Sequence, residues 1–168
     1  MKQDKRRAKR DIMPHLRYKG CTITFQEVPN EVSLVFNICN CPYHCPDCHS
    51  KYLWNDEESE LLIPNLQVIL DTYKDMITCV CLMGGDWNLD ELQDVLNIIK
   101  YNGLKTCVYS GADNISLFAP LTNLLDYVKI GSYKEEYGGL NSPTTNQRFY
   151  MVDNGIYKDV TSLFWRKR

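Results

Sequence analysis

Apolar residues recur along this chain in two rhythms that alternate. Short, nearly continuous apolar runs at residues 32–38, 77–83, 104–109 and 127–130 read as strands covered on both faces. Between the first two, residues 64–76 repeat Leu66, Ile69, Leu70 and Tyr73 at helical spacing, and Pro64 suits a first helical turn. A second helical stretch carries Leu89, Leu92, Val95, Leu96 and Ile99 on one face, with Asn88 and Glu91 as an N-cap pair and Gly103 as its stop. Near the C-terminus, Asp153-Asn154-Gly155 predicts the tight turn of a hairpin between 149–151 and 156–158.

Strand and helix patterns in this order predict an α/β fold of mainly parallel strands joined by helical crossovers. A complete eight-unit β/α barrel needs about 250 residues. The 168 residues here supply part of one, so the expected architecture is a partial, incomplete β/α barrel with a small C-terminal hairpin. Parallel strands would bring four loops to one carboxyl edge, where such folds place their sites: the segment after residue 38, Gly84-Gly85-Asp86, Ser110-Gly111 and Gly131-Ser132.

Composition limits the possibilities further. A single domain over 14–162 is expected, between a basic, flexible segment at 1–13 and a basic tail at 163–168. Solvation of chain ends explains both basic runs, and an acidic partner surface is the alternative. A formal charge of -2 gives no argument for nucleic acid. No apolar run reaches the ~20 residues of a membrane span, and none of secretory length precedes Pro14, so a cytoplasmic protein is expected. In that reducing compartment the eight cysteines are not a disulfide framework. Cys79, Cys81 and Cys107 sit in apolar runs and are read as small packing residues.

The remaining cysteines carry chemistry. In Cys41-Pro42-Tyr43-His44-Cys45-Pro46-Asp47-Cys48, three thiols at spacings of three and two intervening residues can hold three irons of a [4Fe-4S] cluster and leave the fourth open to a chelating ligand. S-adenosylmethionine is such a ligand. The same residues, with His44 and His49 close by, also allow a zinc site or a closed electron-transfer cluster, completed by Cys39, His49 or a distant cysteine. Cys39 stands two residues before Cys41 and, on an extended strand, faces the same way. Gly84-Gly85-Asp86 lets backbone approach a ligand closely and offers a carboxylate to an ammonium group, though alone it is equally a tight turn.

Together these residues resemble the radical S-adenosylmethionine superfamily, in which a three-cysteine loop is followed by a Gly-Gly-acid segment. Over about residues 20–153 the chain resembles the activating proteins of anaerobic, class III ribonucleoside-triphosphate reductases. The features behind this are the small size, Trp54 after the cysteine loop, the Gly-Gly-Asp turn and Pro143-Thr144-Thr145-Asn146-Gln147-Arg148. The resemblance implies that Cys41, Cys45 and Cys48 ligate the cluster and that Gly84, Gly85, Asp86 and Ser110 bind S-adenosylmethionine. It also implies reductive cleavage of that cosubstrate and hydrogen abstraction from a glycine of the reductase, with reduced flavodoxin or a ferredoxin-type protein as electron donor. The chain departs from the pattern at Asn40, where glycine is common, at Trp87, where proline is common, and at Asp47, where many members have an aromatic. Tyr43 and His49 are the aromatic candidates left near the adenine, which has no assigned stacking partner. A different glycyl-radical partner, a small-molecule substrate and a non-catalytic metal-binding module stay as alternatives.

Overall fold

The computed structural model describes residues 14–165. The basic segment expected at 1–13 lies outside the described residues, and the expected tail at 163–168 is described only to residue 165. The eight strands are β1 (Arg17–Thr24), β2 (Ser33–Ile38), β3 (Glu60–Leu61), β4 (Cys79–Met83), β5 (Lys105–Tyr109), β6 (Tyr127–Ile130), β7 (Arg148–Asp153) and β8 (Ile156–Asp159). They form one sheet in the order β3-β1-β2-β4-β5-β6-β7-β8. Two α-helices, α1 (Leu62–Tyr73) and α2 (Leu89–Tyr101), and three 3-10 segments complete the described elements.

The fold is thus α/β, but the expectation of a partial barrel of mainly parallel strands needs correcting: the strands form one open, mixed sheet. Only β2, β4, β5 and β6 pair in parallel, in three ladders. Four antiparallel ladders flank them, through β3 and β1 on one side and β7 and β8 on the other. The pairing series does not close, and β3 and β8 are its two edges. Each parallel pair is bridged by a crossover, whereas β1 joins β2 through the loop 25–32 and β7 joins β8 by a tight two-residue turn, a reversal that only antiparallel pairing allows.

The central strands are covered on both faces, which explains their unbroken apolar runs. One face meets the helices: Leu34, Phe36, Ile38, Val80, Leu82 and Val108 pack with Leu62, Leu66 and Leu70 of α1 and with Leu92, Val95, Leu96 and Ile99 of α2. The other face gathers Val35, Cys79, Cys81, Cys107, Tyr127 and Phe149. The three strand cysteines are fully buried there, as small apolar residues would be. Helix α2 begins where Asn88 accepts the Glu91 backbone N–H at 3.2 Å, has Asp90 and Glu91 in its first turn and Lys100 in its last, and stops before Gly103 at φ +73.

The amino ends of the four parallel strands are tied by one carboxylate. Glu31, just before β2, accepts hydrogen bonds from Tyr127 at 2.7 Å, from Thr78 and from the Lys105 ammonium. Burial pushes the Glu31 carboxyl up, but these bonds outweigh it and hold the group below its ordinary value. A carboxyl depressed by folding contributes stability above the ordinary carboxylate pKa, and that contribution is lost as pH falls through the folded value. Glu31→Gln is expected to cost about 1–3 kcal/mol in urea denaturation at neutral pH. The gap from the parent should shrink in acid; a gap that stays constant with pH would show that the charge on Glu31 does not stabilise the fold.

Candidate functional site

The cysteine loop leaves β2 through Asn40, whose φ of +62 lies in the left-handed region that asparagine tolerates better than most residues. That explains how asparagine stands where a glycine is common. Its side chain donates to Asp56 Oδ2 at 3.2 Å, and the Cys41 backbone N–H donates to Leu53 O at 3.2 Å. The loop closes through Cys48 N to Cys45 O at 3.1 Å and through the 3-10 turn Lys51–Trp54. His44, at φ +44, stacks flat on Trp54 with ring centroids 4.3 Å apart.

The loops after β4, β5 and β6 meet it. Gly84 and Gly85 have φ of +120 and +98, and a Cβ on Gly84 would press on Ile38 at 3.3 Å. Asp86 follows, buried, and its Oδ2 accepts from Ser110 Oγ at 2.5 Å and from the Tyr43 hydroxyl. Ser110 Oγ in turn accepts the Ala112 backbone N–H at 2.9 Å. Burial, reinforced by the bond to Asp86, pushes the Tyr43 hydroxyl up to about 12, so it stays a donor at neutral pH. One cavity of about 430 Å³ is lined by all seven residues singled out in the sequence: Cys41, Cys45, Cys48, Gly84, Gly85, Asp86 and Ser110. A wider groove of about 750 Å³ adjoins it through Tyr43, Cys45 and Tyr133 and continues over Ser132 to Glu136. The volume of the first suits a cofactor-sized molecule.

Residues 31–148, well over half of the chain, match the model of a family described as the 4Fe-4S single cluster domain. The chain belongs to that family. No curated protein and no solved structure gives a match.

A 4Fe-4S single cluster domain needs thiols, hydrogen-bond donors aimed at sulfur and room between them. Burial pushes the Cys41 thiol up, and the backbone N–H groups of Tyr43 and His44 turned toward its sulfur pull the other way. Ser50 donates its backbone N–H to Cys48 Sγ at 3.3 Å. Trp54 Nε1 is buried and has no acceptor, a state that costs ~1–3 kcal/mol unless something fills the space beside it. These features fit a cluster. The histidines of the zinc alternative are engaged elsewhere, His44 on Trp54 and His49 edge-on to Tyr133 at 5.3 Å.

Cys39 does not join the three thiols. It is fully buried at the end of β2 and lines neither space. Burial pushes its thiol up, and its polar neighbours are Lys19, Ser59, Asp56 and Arg17 on the β1 side. Trp87 donates its indole N–H to the Cys39 carbonyl at 3.3 Å, which gives that residue a bracing role beside the Gly-Gly-Asp turn. The segment from Thr144 to Arg148 also stays off the cavity wall. Asn146 donates to Ser132 O at 2.9 Å, Gln147 packs under Gly131, and Arg148 reaches Asp159 at 3.9 Å on the surface.

One lining residue of the 4Fe-4S single cluster domain escaped the sequence reading. Lys129 of β6 is the only lysine or arginine among the described cavity residues, and it is 8% exposed. Its ammonium donates to Gly131 O at 2.7 Å and Ser110 O at 3.3 Å. Burial draws it down to about 8, while nearby Cys45, Cys41 and Asp86 pull it up. The signal was a lysine inside the otherwise apolar run Tyr127–Ile130, where a charge is costly without a purpose.

Proposed function

We propose that this chain is a radical S-adenosylmethionine activase, a single domain over 14–162 that cleaves S-adenosylmethionine reductively and generates a glycyl radical on an anaerobic ribonucleoside-triphosphate reductase. The observation that carries the reading is the cavity itself. Its only described cysteines are Cys41, Cys45 and Cys48, and its other polar lining includes Asp86, Ser110 and Lys129. Three thiols without Cys39 leave one iron of a cluster free for a chelating amino acid.

A cluster held by Cys41, Cys45 and Cys48 would supply the one electron that reductive cleavage of S-adenosylmethionine requires, the chemistry by which a glycyl radical would be generated on the partner. The protein's share is holding and orienting. Cys41, Cys45 and Cys48 would hold the cluster. The Asp86 carboxylate would receive the cosubstrate's ammonium, with Gly84 and Gly85 leaving room for close backbone contact. Lys129 is the cation at hand for a carboxylate. The groove over Ser132 to Glu136 gives a protein loop an approach to the cavity, and a loop seated there would keep water from the radical. The pairing series of the sheet does not close, and an open side would admit a polypeptide. A cytoplasmic setting and a flavodoxin or ferredoxin-type donor complete the proposal.

The test is anaerobic electron paramagnetic resonance of the reconstituted, reduced protein with and without S-adenosylmethionine, together with assay for 5′-deoxyadenosine. A reduced [4Fe-4S] signal that changes on adding the cosubstrate, with 5′-deoxyadenosine formed, is expected. A cluster indifferent to the cosubstrate would instead mark an electron-transfer module.

A further inference from the structure

The three tryptophans of this chain differ in what their indole N–H groups do. Trp87 donates to Cys39 O at 3.3 Å and Trp165 to Leu140 O at 2.9 Å. Trp54 donates to nothing, although its Nε1 is buried away from water. Buried donors nearly always find acceptors, so an orphan asks for a cause.

Two contacts set the orientation of the ring. His44 is stacked on it, with planes 6° apart, and the Lys51 ammonium stands over it at 5.7 Å from the centroid. Both contacts come from the cysteine loop and the turn that closes it, so the indole is fixed relative to the thiols. Trp54 also lines the same cavity as Cys41, Cys45 and Cys48. A fixed, dry donor beside three sulfur ligands has a natural acceptor in a cluster sulfur.

We infer that Trp54 is a positioning and tuning residue whose indole N–H donates to a thiolate or sulfide of the cluster. The inference rests on the proposal that Cys41, Cys45 and Cys48 hold that cluster. A hydrogen bond to sulfur offsets the negative charge that the cluster gains on reduction, so it favours the reduced form. The backbone N–H groups directed at Cys41 and Cys48 act the same way, and Trp54 extends the set from a side chain.

The experiment compares parent and Trp54→Phe, which keeps an aromatic ring under His44 while removing the donor and part of the bicyclic ring. The expected result is unchanged iron and sulfide content with a lower midpoint potential. A tenfold shift of the reduction equilibrium toward the oxidised form corresponds to ~59 mV for one electron. A second measurement needs no variant: electron–nuclear double resonance of the reduced parent with 15N-indole tryptophan, in H2O and D2O. It should show an exchangeable proton and an indole nitrogen coupled to the cluster. A loaded parent with no indole coupling, or a loaded Trp54→Phe at the parent's potential, would overturn the role of Trp54 and leave the activase reading standing. A parent that assembles no cluster on the three cysteines would overturn both.

Discussion

Replacing any one of Cys41, Cys45 or Cys48 by alanine is expected to abolish the [4Fe-4S] cluster, whereas Cys39→Ala retains it. The asymmetry follows from position. The three loop thiols line one cavity, while Cys39 is sealed on the β1 side among Lys19, Ser59, Asp56 and Arg17. If these three are the ligands, as proposed, no spare thiolate lines the cavity to replace a lost one. The folded chain should survive each loop change, because Cys41, Cys45 and Cys48 are only partly buried and contribute little to either apolar cluster. Iron and sulfide analysis after anaerobic reconstitution, with far-ultraviolet circular dichroism as the control on folding, reads the result. A full cluster in any of the three alanine variants would remove that residue from the ligand set. Loss of the cluster in Cys39→Ala would return the site to a closed electron carrier.

The second large effect is expected from a single methyl group at Gly111. A Cβ there would stand 2.6 Å from Tyr43 Cγ and 2.8 Å from Cδ2. These atoms lie near the base of the ring, so the side chain cannot swing its tip aside; the cysteine loop itself must move. Overpacking of this kind costs about 1–3 kcal/mol. The Tyr43 hydroxyl would then leave Asp86, and the link between the loop after β2 and the loops after β4 and β5 would open. Gly111→Ala is expected to weaken the response of the reduced cluster to S-adenosylmethionine by roughly tenfold, which is 1.4 kcal/mol of binding. Titration of the paramagnetic signal measures it. Adding Tyr43→Ala removes the clash and should recover thermal stability without recovering cosubstrate affinity. Parent-like affinity in Gly111→Ala would show that the Tyr43 to Asp86 contact is dispensable.

Much of this arrangement was legible in the sequence because the central elements obey local rules. The apolar runs at 32–38, 77–83, 104–109 and 127–130 became β2, β4, β5 and β6, since strands covered on both faces need no polar alternation. Asn88 and Glu91 announced α2, and Asn154 and Gly155, at φ +49 and +77, make the hairpin turn that Asp153-Asn154-Gly155 predicted. Strand β1 was missed for a physical reason. Its pairing with β2 slips between Tyr18 and Cys21, around Gly20 at φ +77, so its alternation is broken where a pattern would be sought. The antiparallel flank of β3 and β1 was illegible with it, so the sheet is less parallel than the sequence pattern suggests. At the site, the three cysteines and the Gly-Gly-Asp turn were visible through spacing. Lys129 was not, because one lysine in an apolar run is informative only once its strand is seen to end at the cavity. Trp54 was visible as a residue, but its unpaired N–H is a property of packing.

The knot around Glu31 has a mechanical side. It grips β2, β4, β5 and β6 at their amino ends, and the glycines at 84, 85 and 131 lie in the loops at the opposite ends. The four strands are therefore held like the tines of a fork, tied together at the handle, with the cavity built between the tips.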